Sequence, residues 1–277
     1  MIIAQVTDTH IRIPGKLAYR RVDTAKYLAE AVAHLNGLAP LPDVVVMTGD
    51  LVDFAKPEEY AHLAALIAPF RAPVYLLPGN HDGRDEMRQA FPAHRYLPRE
   101  GFLQYTIEDW PVRLVAVDTL IPGEGGGEVC AARLVWLEKT LAAEPRRPTV
   151  VMMHHPPFRT GIGFMDGHGL KNREGYAAVS ARHPQVERVI ARWPELGAQV
   201  SRNRRNVFDA FPQRRYLNDD HREAVVQVFP KRAGINFFLE VLVGCHNEPC
   251  LYPFHTGPPD PADFVLLQDP QELGLQG

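Results

Sequence analysis

The stretch Leu76-Leu77-Pro78-Gly79-Asn80-His81-Asp82 decides how the rest of the chain is read. The apolar run Val74 to Leu77 is of the kind that forms a buried strand, and Pro78 and Gly79 break it. An amide, an imidazole and a carboxylate follow at once, on Asn80, His81 and Asp82. A strand that ends in a turn presenting polar side chains is a common way to build a site. Asp82 reads either as a partner that orients His81 or as a solvated turn carboxylate.

Two earlier strands end in the same manner. Ile2 to Val6 runs into Thr7-Asp8-Thr9-His10. The D-x-H spacing lets a carboxylate and an imidazole reach one metal ion, and both are good ligands for Zn, Mn or Fe. Taken alone it reads first as a surface loop. Val22 to Leu38 has helical spacing, with Ala25, Leu28, Ala29, Val32 and Leu35 on one face. Val44-Val45-Val46-Met47 then reads as a central parallel strand. It ends in Thr48-Gly49-Asp50-Leu51-Val52-Asp53, which again offers a carboxylate, Asp50. Pro57 to Phe70 is a second amphipathic helix, with Tyr60, Leu63, Ala64 and Ile67 inward. Strand–helix–strand alternation implies a parallel sheet with its strand ends on one edge, where α/β proteins place their sites.

The middle of the chain repeats the pattern less regularly. Gly101 to Ile107 and Val112 to Asp118 read as paired strands of a second sheet. Gly123 to Gly127 lacks the Lys and Ser/Thr of a phosphate-cradling loop and reads as a flexible surface turn. Ala132 to Leu141 is helical. Thr149 to Met153 is a further buried strand, ending in His154-His155-Pro156-Pro157.

Composition bounds the answer. The 277 residues are 45% hydrophobic and 23% charged, with a net charge of −3, which suits a soluble globular protein and not a general nucleic-acid binder. Three cysteines in such a length suggest a reducing compartment. Neither a signal-peptide pattern nor an apolar run near the roughly 20 residues of a membrane span is evident, so a cytoplasmic location is expected.

D-x-H, G-D, G-N-H-D and H-H-P-P, in this order, resemble the motifs of the calcineurin-like metallophosphoesterases, and among them the bacterial class III cyclic-nucleotide phosphodiesterases and glycerophosphodiesterases. Thr48-Gly49-Asp50-Leu51, Val117-Asp118-Thr119 and Gly163-Phe164-Met165-Asp166 agree with it. The likeness runs from residue 1 to about 191. It implies an α/β fold, the four-layer αββα sandwich, over 1–191, with a divergent segment over 192–277. It implies two divalent metal ions, of Mn, Fe or Zn. Asp8 and His10 would bind the first ion, Asp50 would bridge both, and Asn80 and His154 would bind the second. His154 is preferred over His155 because the family ligand stands two residues before the proline. His81 would lie beside the phosphate as a catalytic group. The implied activity is hydrolysis of a small phosphodiester, a cyclic nucleotide or a glycerophosphodiester, by attack of a metal-bound hydroxide. No membrane or nucleic-acid partner is implied, and a homo-oligomer is compatible with it.

The final family motif, G-H-x-H, should follow the strand Pro184 to Ala191. Arg192-Trp193-Pro194-Glu195 stand there instead. This break opens a second reading, a catalytically impaired fold that binds a phosphorylated ligand or a partner. A change of coding frame near Ala191 would produce the same break. Beyond it, Ile235 to Val243 is the one long apolar run, followed by Gly244-Cys245-His246-Asn247. His246 is a candidate replacement ligand. Cys245, Cys250, His246 and His255 fit no standard zinc spacing. The segment holding Arg202, Arg204, Arg205, Arg214 and Arg215 reads as a solvated face.

Overall fold

The structure is a computed structural model that describes residues 1–159, 166–192 and, as backbone, 237–242. Strand β1 (Ile2–Thr7) leads into helix α1 (Thr24–Gly37), β2 (Val44–Thr48), α2 (Pro57–Ile67), β3 (Val74–Leu77) and the short α3 (Arg84–Ala90). β4 (Tyr105–Ile107), β5 (Arg113–Ala116), β6 (Gly127–Glu128), α4 (Ala131–Ala143) and β7 (Thr149–Met152) follow. β8 (Leu170–Lys171), α5 (Arg173–Ala181), β9 (Val186–Ile190) and β10 (Phe237–Leu242) complete the described elements.

Local chemistry sets the helix starts. The Asp23 carboxylate accepts from the Lys26 N–H at 3.1 Å and caps α1. Pro57 opens α2, where its missing N–H costs nothing, and Glu58 and Glu59 fill the first turn. The buried face of α1 is Leu28, Ala31, Val32 and Leu35, and Ala29 lies exposed. The apolar stripe is therefore turned slightly from the spacing expected.

Two four-stranded sheets result, ordered β10-β1-β2-β3 and β4-β5-β7-β9. The first is all parallel; in the second only β4, paired with β5, is antiparallel. Residue alternation in the second sheet shows the layering. Leu114, Ala116, Val150 and Met152 join the core of the first sheet with α1 and α2. Val115, Val117, Val151 and Met153 face the other way, onto Leu137 and Leu141 of α4 and Tyr176 and Val179 of α5. Helices, sheet, sheet and helices form the expected αββα sandwich. β2 is buried along its whole length, as a strand covered on both faces must be.

The Ile235–Val243 run contains β10, which pairs in parallel with β1 in the register Ile2↔Phe237. His246, Cys245, Cys250, His255 and the arginine-rich segment 202–215 lie outside the described residues, as does Gly163-Phe164-Met165. The glycine loop differs from expectation at its end. Gly127 is buried in β6, and a Cβ there would stand 2.3 Å from His155 Nδ1. Close packing on that imidazole, not flexibility, requires this glycine.

Candidate metal centre

Five parallel strands bring their C-terminal ends to one edge. Asp8 follows β1, Asp50 follows β2, Asn80 follows β3, His154 follows β7 and Arg192 follows β9. Backbone bonds tie the loops together. The Asp8 N–H donates to the Gly49 carbonyl at 3.0 Å, and His10 to Asp50 at 2.9 Å. The two sheets meet where the His154 ring bonds the Thr48 carbonyl at 2.8 Å. A carbonyl only accepts, so His154 Nδ1 carries the proton and Nε2 presents a lone pair.

Asp8, His10 and Asp50 all have left-handed backbones, with φ of 55°, 41° and 49°. Such conformations are uncommon outside glycine and cluster at functional sites. The chain approaches itself closely here. A Cβ on Gly79 would fall 2.3 Å from the Asp50 backbone nitrogen, and one on Gly49 would fall 2.6 Å from His154 Nδ1. Glycine is needed at both positions for the β2 and β3 ends to meet.

The donors converge and are buried. One donor atom each from Asp8, His10 and Asp50 lie within 4.8 Å of one another. His154 Nε2 is 3.3 Å from Asp50 Oδ2, and His10 Nε2 is 3.7 Å from the same oxygen. Asn80 Oδ1 is buried and has no hydrogen-bond partner. Carboxylates, imidazoles and an orphaned amide oxygen offered from one sheet edge are donor types that fit a divalent metal. Burial pushes the Asp50 carboxyl up, but His154, His10 and Arg192 outweigh it and hold it well below the usual range. Burial pushes His10 and His154 down, yet the surrounding aspartates raise both.

The structure separates the two histidines of the pair. His154 faces Asp50, whereas His155 Nδ1 bonds the Thr119 hydroxyl at 2.8 Å and lies under Gly127. Burial and the neighbouring His154 push the His155 pKa well down, which keeps it neutral.

Asp53 is the residue that motif reading passed over. His10 Nδ1 lies 3.5 Å from Asp53 Oδ1, and the His81 ring donates to the Asp53 carbonyl at 2.9 Å. His10, Asp53 and His81 form a second group of convergent donors. The signal was present, since Asp53 closes the same strand-end motif as Asp50.

Asp82 does something other than either reading of it. It is buried, and it accepts from the N–H groups of Gly79 at 2.9 Å, Leu51 at 3.0 Å and Val52 at 3.4 Å, and from the Tyr60 hydroxyl at 3.1 Å. It braces the loops that carry Asp50 and Asn80, while Asp53 orients His81.

The two-sheet sandwich with this donor set at one edge is that of a metallophosphoesterase. Residues 1–191 match the family described as Calcineurin-like phosphoesterase, and the chain belongs to that family of divalent-metal phosphoester hydrolases. It is 38% identical over 187 residues to a probable glycerophosphodiester phosphodiesterase of Arcobacter nitrofigilis, covering 67% of this chain and 68% of that protein. It is 32% identical over 188 residues to the 3',5'-cyclic adenosine monophosphate phosphodiesterase of Escherichia coli K12, covering 68% and 67%. In fold it is similar to a purple acid phosphatase from yellow lupin, with a TM-score of 0.51 and 13% identity over 92% of this chain and 46% of that one.

Proposed function

We propose that this protein hydrolyses a small phosphodiester, a cyclic nucleotide or a glycerophosphodiester, at a centre of two divalent ions. The observation that carries the reading is the buried convergence of Asp8, His10 and Asp50 beside His154 and the unpartnered Asn80 oxygen. In this reading Asp8 and His10 hold one ion, Asn80 and His154 hold the other, and Asp50 bridges. Divalent ions of Mn, Fe or Zn would polarise the phosphoryl oxygens there and activate a water. Asn80 contributes no charge, so the loaded centre keeps a positive balance for an anionic diester. His81 is about one-third exposed, at 33%, and stands at the mouth of the cluster with its ring edge-to-face on His10 at 4.6 Å. Its Nδ1 is committed to the Asp53 carbonyl, which leaves Nε2 for the substrate's leaving oxygen or phosphoryl charge. The glycerophosphodiester and cyclic-nucleotide activities named for the relatives support the substrate class.

A second reading has one observation in its favour. Arg192 stands where the family motif G-H-x-H should begin. A chain short of two ligands could bind a phosphorylated ligand without turning it over. Metal content and turnover of bis(p-nitrophenyl) phosphate decide between the two. About two Mn, Fe or Zn per chain with turnover, lost in Asp50→Ala, is expected. Fewer than about one metal per chain and no turnover would establish the impaired fold instead.

A further inference from the structure

Arg192 follows β9, and its N–H donates to the His154 carbonyl at 2.9 Å. Its side chain turns into the cluster. Nη1 lies 3.3 Å from Asp8 Oδ1, 3.2 Å from Asp50 Oδ2 and 3.3 Å from His154 Nε2. Two carboxylate oxygens and an imidazole lone pair around one cationic nitrogen are the donors a divalent ion would take. An ion bound by Asp50 and His154 cannot share these lone pairs with the guanidinium. Nor can the guanidinium withdraw by losing its proton, because arginine stays charged in proteins. It can only move.

We propose that Arg192 is an internal competitor for the ion held by Asp50 and His154. This rests on the metal-centre reading above and goes beyond it. In the metal-free chain the guanidinium, with His10 and His154, offsets the repulsion between Asp8 and Asp50. An ion taken by Asp50 and His154 would displace the side chain from these three atoms. Arg192 therefore replaces the missing motif in charge only while the metal is absent. Its removal acts in opposite directions on the two states: the metal-free chain loses stability and the metal-loaded chain gains affinity.

The test is a Mn2+ titration of the chelator-stripped full chain by calorimetry at one fixed pH, for the native protein, Arg192→Gln and Arg192→Met. Methionine keeps the aliphatic stem, in case the glutamine variant folds poorly. Both variants are expected to take up the second Mn2+ roughly tenfold more tightly than the native chain. Both are expected to unfold at a lower temperature without metal. Equal affinities in all three proteins would overturn the proposal, as would weaker binding by the variants or a single Mn2+ per chain throughout. Turnover is read separately. Two tightly bound ions in the variants with no diester hydrolysis in any protein would support the competition and refute the proposed activity.

Discussion

Replacing Asp82 with alanine tests whether the centre depends on a carboxylate that touches no metal donor. The substitution leaves the N–H groups of Gly79, Leu51 and Val52 and the Tyr60 hydroxyl without their acceptor in a buried place. Three of these bonds are short, and at about 1.5 kcal/mol each their loss removes about 4–5 kcal/mol. A second effect opposes this. Burial, and then the charge of Asp50, push the Asp82 pKa from its ordinary 3.8 up to about 6. Holding the group ionised in the folded chain thus costs about 3 kcal/mol at neutral pH. The net loss for Asp82→Ala is about 2 kcal/mol at pH 7. The sign of the pH dependence follows from the raised folded pKa. Between the unfolded and folded values the native state binds the extra proton, so Asp82 contributes most below pH 4 and loses that contribution as pH rises through about 6. At pH 5 the ionisation cost falls to about 1.5 kcal/mol, so the loss should grow to about 3 kcal/mol. For a chain of this size that is a drop of about 5 °C in Tm at pH 7 and about one and a half times as much at pH 5. Thermal unfolding of the metal-free protein, followed by circular dichroism at both pH values, reads this directly. A variant as stable as the parent, or a gap larger at pH 7 than at pH 5, would refute the reasoning.

Other substitutions probe the remaining supports. Gly79→Ala would drive a Cβ into the Asp50 backbone, so it should cost metal content and activity together, measured by elemental analysis and diester turnover. Asp53→Asn keeps the carbonyl that holds His81 but weakens the contact to His10, so metal affinity should fall roughly tenfold in a Mn2+ titration. The paired histidines should separate. His154→Ala should lower bound metal, while His155→Ala should leave the metal content intact and lower the unfolding temperature. Chelation should abolish turnover, and added Mn2+ should restore it.

The sandwich was legible because its strands are strongly apolar and its helices periodic. Val44 to Met47 reads as a central strand, and it is buried throughout. The short elements were less legible for physical reasons. α3 spans only Arg84–Ala90 and buries Met87 alone, so no periodic face exists to read. β6 and β8 are two residues each and are defined by their pairing, not by composition. Asp8, His10, Asp50, Asn80 and His154 could be picked out as candidates because each stands one to three residues after a strand, and the parallel sheets bring those strand ends to one edge. Asp82 escaped because its partners are backbone groups from Leu51, Val52 and Gly79, and sequence carries no mark of a through-space acceptor. Arg192 was visible as a departure, but its approach to Asp8 across 184 positions of chain exists only in the fold.

The backbone supplies an argument for the metal centre that does not depend on any motif. Asp8, His10 and Asp50 each hold a left-handed φ, at about 1 kcal/mol apiece over glycine. Summed, that is a sizeable share of a typical net stability of about 5–15 kcal/mol. Glycine would remove this strain wherever only the turn mattered. The strained positions carry carboxylates and an imidazole whose donor atoms lie within 4.8 Å of one another, so what the fold gains there is the side chains. Buried aspartates this close repel each other, which makes the arrangement worse without a cation. Both terms act in one direction: the strain selects these side chains, and their charge selects a cation. Arg192 offsets part of that charge with one guanidinium, yet the Asn80 oxygen stays unpartnered. A divalent cation in the proposed centre would supply the charge these carboxylates lack, and the Asn80 oxygen is a donor of the kind such an ion takes.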